Sequence, residues 1–150
     1  MTALTGIQQQ RQAAMGVYAR ATTEELDAAL ERIGRPAGAE DMRPPELGLV
    51  MARGRMGGTG APFNAGEVSV TRAAVRLSSG EVGVAYQLGR DRTKARVAAT
   101  LDALWQTDKR SEVEAALDPI RARIAEQIQL KERRVAATKV DFFTLVRGED

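Results

Sequence analysis

RMGGTGAPFNAGE, residues 55–67, packs three glycines into four positions directly behind an arginine. A phosphate-cradling Walker loop needs Gly-x-x-x-x-Gly-Lys-Ser/Thr, whose lysine reaches the terminal phosphates. No lysine follows these glycines. A dinucleotide loop needs Gly-x-Gly-x-x-Gly between a strand and a helix. Gly58-Thr59-Gly60-Ala61-Pro62-Phe63 has the wrong third position, and a strand pattern follows it. Two readings survive. In one, the stretch is a turn or wide loop between two strands, with glycine supplying positive φ. In the other, it is a nest of backbone amides that receives an anion or a partner's side chain, assisted by Arg55.

Outward from this stretch the sequence alternates. LGLVMARGRM (47–56) sets Leu47, Leu49 and Met51 two apart, a strand pattern. GEVSVTRAAVRL (66–77) starts with Val68 and Val70 on one face and ends with Ala73, Val75 and Leu77 on the other. That switch of parity predicts either a bulge near Thr71–Arg72 or a strand covered on both faces. SSGE then turns the chain, and Val82, Val84, Tyr86 and Leu88 alternate in a hairpin partner.

Helical periods flank this centre. Residues 7–19 place Ile7, Arg11, Met15 and Tyr18 on one face, and Thr22 with Glu25 makes a capping box. Leu26, Ala29, Leu30 and Ile33 then form a stripe ended by Gly34 and Pro36. GRPAGAEDMRPPE reads as a linker (about 35–46) between a helical pair (about 7–34) and the rest (about 47–148). Asp91 caps a helix whose stripe is Val97, Ala98, Leu101, Leu104 and Trp105. Ser111 with Glu114 predicts a short helix, Asp118–Pro119 the start of another, with Ile120, Ile124, Ile128 and Val135 on its face. Val140, Phe142, Thr144 and Val146 suggest a last strand. The order α-α-β-β-β-α-α-α-β lacks βαβ alternation. It predicts one α+β domain over residues 1–150, with helices from both ends packed on an antiparallel sheet of about four strands.

Composition narrows the chemistry. The 150 residues contain no Cys and no His, so a disulfide, a thiolate nucleophile, a Cys or His metal site and a Ser-His-Asp triad are all excluded. No apolar run approaches the ~20 residues of a membrane span, and the N-terminus lacks a signal-peptide core, so a cytoplasmic chain with no membrane partner is expected. Between Arg53 and Arg96 stand eight basic and three acidic residues, a segment charge of +5 within a chain of +2. Such a local excess suits an anionic ligand or an acidic partner, or is simply a solvated edge. Nucleic acid is not expected, because no aromatic residues interleave with these arginines.

Other stretches carry paired readings. GRD (89–91) is a strand exit and helix cap, or an anion site built from Arg90, Arg92 and the helix N-terminus. DFF (141–143) packs a core or binds a partner. Trp105 reads as core or interface anchor, and Asp141 acts as a base only if buried or paired.

RMGGTG (55–60), GE (66–67), TRAAVRL (71–77), GRD (89–91), DAL (102–104) and VDFFTLVRG (140–148) occur together in an order that resembles the PhnG family. That family supplies the small subunit of the bacterial carbon–phosphorus lyase system. The likeness covers Leu47 to Gly148. It implies a subunit that acts with PhnH, PhnI and PhnL to transfer the ribose 5-triphosphate of MgATP to a phosphonate such as methylphosphonate. Adenine is released, and the product is ribose 1-methylphosphonate 5-triphosphate. It also implies a hetero-oligomeric core with PhnH, PhnI and PhnJ. The iron–sulfur cluster and S-adenosylmethionine belong to another subunit, and this chain binds no cofactor alone. The family suggests no catalytic residue here, and no metal site. Arg55, Gly57, Gly58, Thr59, Gly60, Arg72 and Arg90 are the candidates for a position beside the phosphates; Phe142, Phe143 and Arg147 are the candidates for a partner interface. The alternative is a purely structural scaffold of the lyase core, without a part in the transfer.

Overall fold

The computed structural model describes residues 5–138. Two helices, α1 (Gly6–Arg20) and α2 (Thr23–Ile33), precede three strands, β1 (Glu40–Arg55), β2 (Pro62–Arg76) and β3 (Val82–Leu88). Then come α3 (Arg92–Trp105) and α4 (Arg110–Ala137). The strands form one antiparallel sheet in the order β1-β2-β3, and the fold class is α+β as the sequence predicts. The described sheet has three strands against the expected four, and the last strand, at 140–146, lies outside the described residues.

α3 is the centre of the molecule. It lies on β2 and β3 and is flanked by α1, α2 and α4, and Val97 through Trp105 are all buried. A helix enclosed all round needs apolar or internally satisfied side chains. Its approach to β3 is close: a Cβ at Gly83 would stand 1.9 Å from the Ala99 carbonyl oxygen.

Side chains from other elements tie down the helix ends. The predicted capping box at Thr22 is present, and a second one, not predicted, forms at Thr5. Lys94 Nζ donates to the carbonyl of Ala19, and Lys109 Nζ to that of Ile33. Each cation thus meets the negative end of a helix that precedes it. Arg123 of α4 pairs with Glu25 of the α2 capping box at 2.5 Å.

Three sequence expectations are corrected. Residues 40–46 are strand, where a linker was expected. Pro44 and Pro45 fit because β1 is an edge strand and its register shifts on both sides of Arg43. Residues 110–137 form one helix where two were expected. Ser111 lies within its first turn, and Pro119 lies inside the helix on an exposed position. The stripe Val113, Ala116, Leu117, Ile120 is buried without interruption, and its packing offsets a residue that costs roughly 3 kcal/mol in a helix interior. Beyond Ile124 the expected apolar face is not buried: Ile128 and Val135 are exposed.

The parity switch in β2 has its second explanation. The β2–β3 register runs unbroken from Val70↔Leu88 to Arg76↔Val82, so no bulge sits at Thr71–Arg72. Thr71, Ala73 and Val75 face α3, while Val68 and Val70 lie on the opposite face.

Candidate functional site

β3 stops opposite Val70, yet β1 and β2 continue pairing out to Arg55↔Pro62. The result is a two-stranded ribbon that overhangs the three-stranded sheet by seven to eight residues per strand, roughly 25 Å. The glycine stretch closes it. A single 3-10 turn, Met56–Gly58, carries Gly57 at φ 58° and Gly58 at φ 81°, where only glycine sits without strain. Gly60 donates to the Met56 carbonyl at 2.7 Å, and a Cβ there would stand 2.5 Å from that oxygen. Of the two sequence readings, the turn is what the backbone forms. β2 begins at Pro62, four residues earlier than expected, so that only 56–61 lies outside the strands.

The turn nonetheless carries positive charge. Arg53, Gly54, Arg55, Gly58 and Pro62 line an open concavity of about 540 Å³ at the ribbon's end. Arg55 Nη1 donates to the Gly60 carbonyl at 3.3 Å, and neither Arg53 nor Arg55 has a carboxylate partner among the described residues. Thr59 is exposed beside them, its amide bonded to Met56. The other two arginine candidates stand elsewhere. Arg72 lies on the sheet face turned away from α3, between Glu46 and Tyr86, and its Nε donates to Glu46 Oε1 at 2.6 Å. Hydrogen bonds from Arg43 and Arg72 hold the Glu46 carboxyl below its ordinary range. Ten residues of strand, roughly 33 Å, separate Arg72 from the ribbon end. Arg90 is exposed in the bend before α3. There Asp91 is the cap, accepting from the Lys94 amide at 2.8 Å and from Thr23 Oγ1 at 2.6 Å, and both bonds lower its pKa. The seven phosphate-side candidates therefore divide into one cluster (Arg55 with Gly57, Gly58, Thr59 and Gly60) and two separate arginines. Phe142, Phe143 and Arg147 lie outside the described residues.

Sequence reasoning missed Arg53 as a member of that cluster, although it stands two residues from Arg55 on the same strand face. It also missed a buried charge. Asp102, fully enclosed on α3, accepts from Arg11 Nε at 2.9 Å, from Arg11 Nη2 at 2.7 Å and from the Val84 amide at 2.9 Å. The bidentate bond raises the Arg11 pKa. A carboxylate so engaged has no lone pair turned toward a substrate; it clamps α1, α3 and β3 together. The neighbouring Tyr18 is buried, and that burial pushes its phenol far above the ordinary value, so it stays protonated. The one visible signal for Asp102 is an acid in the middle of the apolar run VAATLDALW.

Among the described residues no group of three His, Cys, Asp or Glu is placed to hold a metal ion, and no helix is long and apolar enough to cross a membrane. The geometry thus offers positive charge at a ribbon's end, and carboxylates that are occupied structurally. The sequence model of a family described as "Phosphonate metabolism protein PhnG" matches residues 9–148. The chain belongs to the PhnG family. A relative from Rhizobium meliloti (strain 1021), named "Alpha-D-ribose 1-methylphosphonate 5-triphosphate synthase subunit PhnG", is 49% identical over 142 residues. The alignment spans 94% of this chain and 91% of that relative. The PhnG assignment therefore includes the N-terminal helices, where the sequence motifs began only at Leu47.

Proposed function

We propose that this chain is a subunit of a synthase that transfers the ribose 5-triphosphate of MgATP to a phosphonate such as methylphosphonate, releasing adenine and forming ribose 1-methylphosphonate 5-triphosphate. The observation that carries it is the 49% identity, across nearly the whole of both chains, to a subunit named for that product. In this reading the chain works in a hetero-oligomer with PhnH, PhnI, PhnJ and PhnL-like subunits, in the cytoplasm. It contributes positive charge and no acid–base group. The Arg55 cluster, with Arg53, lies beside the triphosphate, and Arg72 and Arg90 add to the field from the body of the domain. Phe142, Phe143 and Arg147 serve the partner interface. The chain brings no cofactor; the iron–sulfur cluster and S-adenosylmethionine reside in another subunit.

A second reading, a scaffold of the carbon–phosphorus lyase core without a part in the transfer, is favoured by the exposed apolar residues along the ribbon. Adenine release separates the two. It is measured from MgATP and methylphosphonate with the PhnH, PhnI and PhnL-like subunits, with and without this chain. Release that depends on the chain and falls at least tenfold in Arg55→Ala or Arg90→Ala, with the complex intact, supports a role beside substrate. Release unchanged without the chain overturns the synthase assignment and leaves the scaffold.

A further inference from the structure

Both faces of the ribbon carry exposed apolar side chains. Leu47, Leu49 and Met51 continue the face that α3 covers further back, but they lie beyond that cover, and Leu49 is 63% exposed. On the opposite face Val50 and Val68 stand across from one another, next to the row of Gly48, Val70 and Leu88, and Leu88 is 74% exposed. Among the described residues neither backbone edge is paired from Leu49 to Arg55 or from Pro62 to Val68, since β3 ends opposite Val70, Gly89 reaches only the Ser69 carbonyl, and β1 is the sheet's outer strand. The device that guards the start of β1, two prolines within the register shift from Arg43 to Glu46, ends at Pro45. An isolated two-stranded hairpin is marginally stable in water, and this one displays a mainly aliphatic surface interrupted by Glu67.

Its positive charge is placed at one end. Of the three charged side chains in residues 47–70, Arg53 and Arg55 stand by the turn and Glu67 lies on the shaft opposite Met51. A mainly apolar shaft with a cationic end complements a cleft of mainly apolar walls whose inner end is negative. We propose that the ribbon, Leu47–Ala52 with Phe63–Val70, is an insertion arm clasped on both faces by a cleft in another protein subunit. The arm carries Arg53 and Arg55 to the triphosphate held at that cleft's inner end. The position of the triphosphate rests on the functional reading above; the docking of the arm does not. The occupant is a different protein, because the arm of a second copy of this chain brings the first a single carboxylate, Glu67, against the two arginines Arg53 and Arg55.

The test uses the full chain co-expressed with the other synthase subunits, without nucleotide, and reads complex assembly by size-exclusion chromatography with light scattering. Leu49→Glu probes one face and Val68→Glu the other. Both side chains lie off the packed core, so each variant alone is expected to melt like the parent. Each is expected to lower assembly at least tenfold. Amides of 47–52 and 63–69 are expected to exchange freely in the lone chain and slowly in the complex. Either variant assembling like the parent, or unchanged exchange, overturns the two-sided clasp. A lone chain that is dimeric until Leu49→Glu makes it monomeric overturns it too, in favour of a second copy. Arg53→Ala combined with Arg55→Ala is expected to assemble and to lose adenine release; release that never required the chain sinks the functional reading while the docking result stands.

Discussion

Gly83 shows how far one missing methyl group decides the packing of α3. Alanine there would drive its Cβ into the backbone of Ala99 and Ala103, which cannot step aside as a flexible side chain can. Gly83→Ala is expected to destabilise the chain by about 3 kcal/mol, the upper part of the overpacking range. Thermal unfolding followed by circular dichroism checks it; a midpoint equal to the parent's would show that helix and strand separate more easily than drawn. Nothing in the sequence marks this glycine apart from those in turns, because the constraint comes from a helix that begins nine residues later. Asp102 was hidden for the same reason, its partner Arg11 being 91 residues away. Arg55 and the glycines were legible because their constraint is local: a turn declares itself in five or six consecutive residues. Which arginines stand together was not legible, since Arg53, Arg55, Arg72 and Arg90 look alike until the strand register separates them.

The capping box of α2 links two distant elements through one carboxylate. Glu25 accepts from Arg123 and from the Thr22 amide, and the Arg123 bond is the main cause of its lowered pKa. A carboxyl with a lower pKa folded than unfolded stabilises the fold above its unfolded value. That contribution is lost as pH falls through the folded value. Melting midpoints are therefore expected to fall on acidification from pH ~5 to pH ~3, around and below the ordinary glutamate value of ~4.3. Glu25→Gln is expected to melt lower than the parent at neutral pH and to show a shallower acid slope; an unaltered slope would remove Glu25 from the account. The start of α2 was legible because the box is written within four residues. That β3 is a strand was legible from its alternation, but its buried face was not: Gly83, Ala85 and Gln87 are buried, while Tyr86 and Leu88 are exposed. Nor was the continuity of α4. Ser111, Asp118 and Pro119 are local stop and start signals, and they are overridden by a buried stripe whose other side is supplied by α2 and α3.

The whole molecule divides into a packed body and parts that extend beyond it. Among the described residues the buried cluster lies in α1–α3, the first three turns of α4 and the three-stranded part of the sheet, with Ala21 and Leu77 in the adjoining connections; the ribbon and the last turns of α4 add nothing to it. Replacing residues 48–68 with a two-residue turn is expected to leave the melting midpoint within about 2–4 °C, the shift that ~1 kcal/mol produces in a chain of this size. A larger fall would mean that the ribbon braces the body. The α+β class was legible from the absence of βαβ alternation, while the overhang was not. Alternating residues read the same whether a neighbouring layer covers them or not, and only the length of β3 shows where cover ends.

Leu47–Ala52 is an uncharged run on a strand edge that is open among the described residues, and this bears on how the chain is made. A copy without its complex carries a template on which other unfolded or nascent chains can add strand by strand. Synthesis in excess of its partners would thus lead to aggregates or to clearance by proteases, which favours making this subunit in matched amounts, at the same time and place as the proteins that receive it.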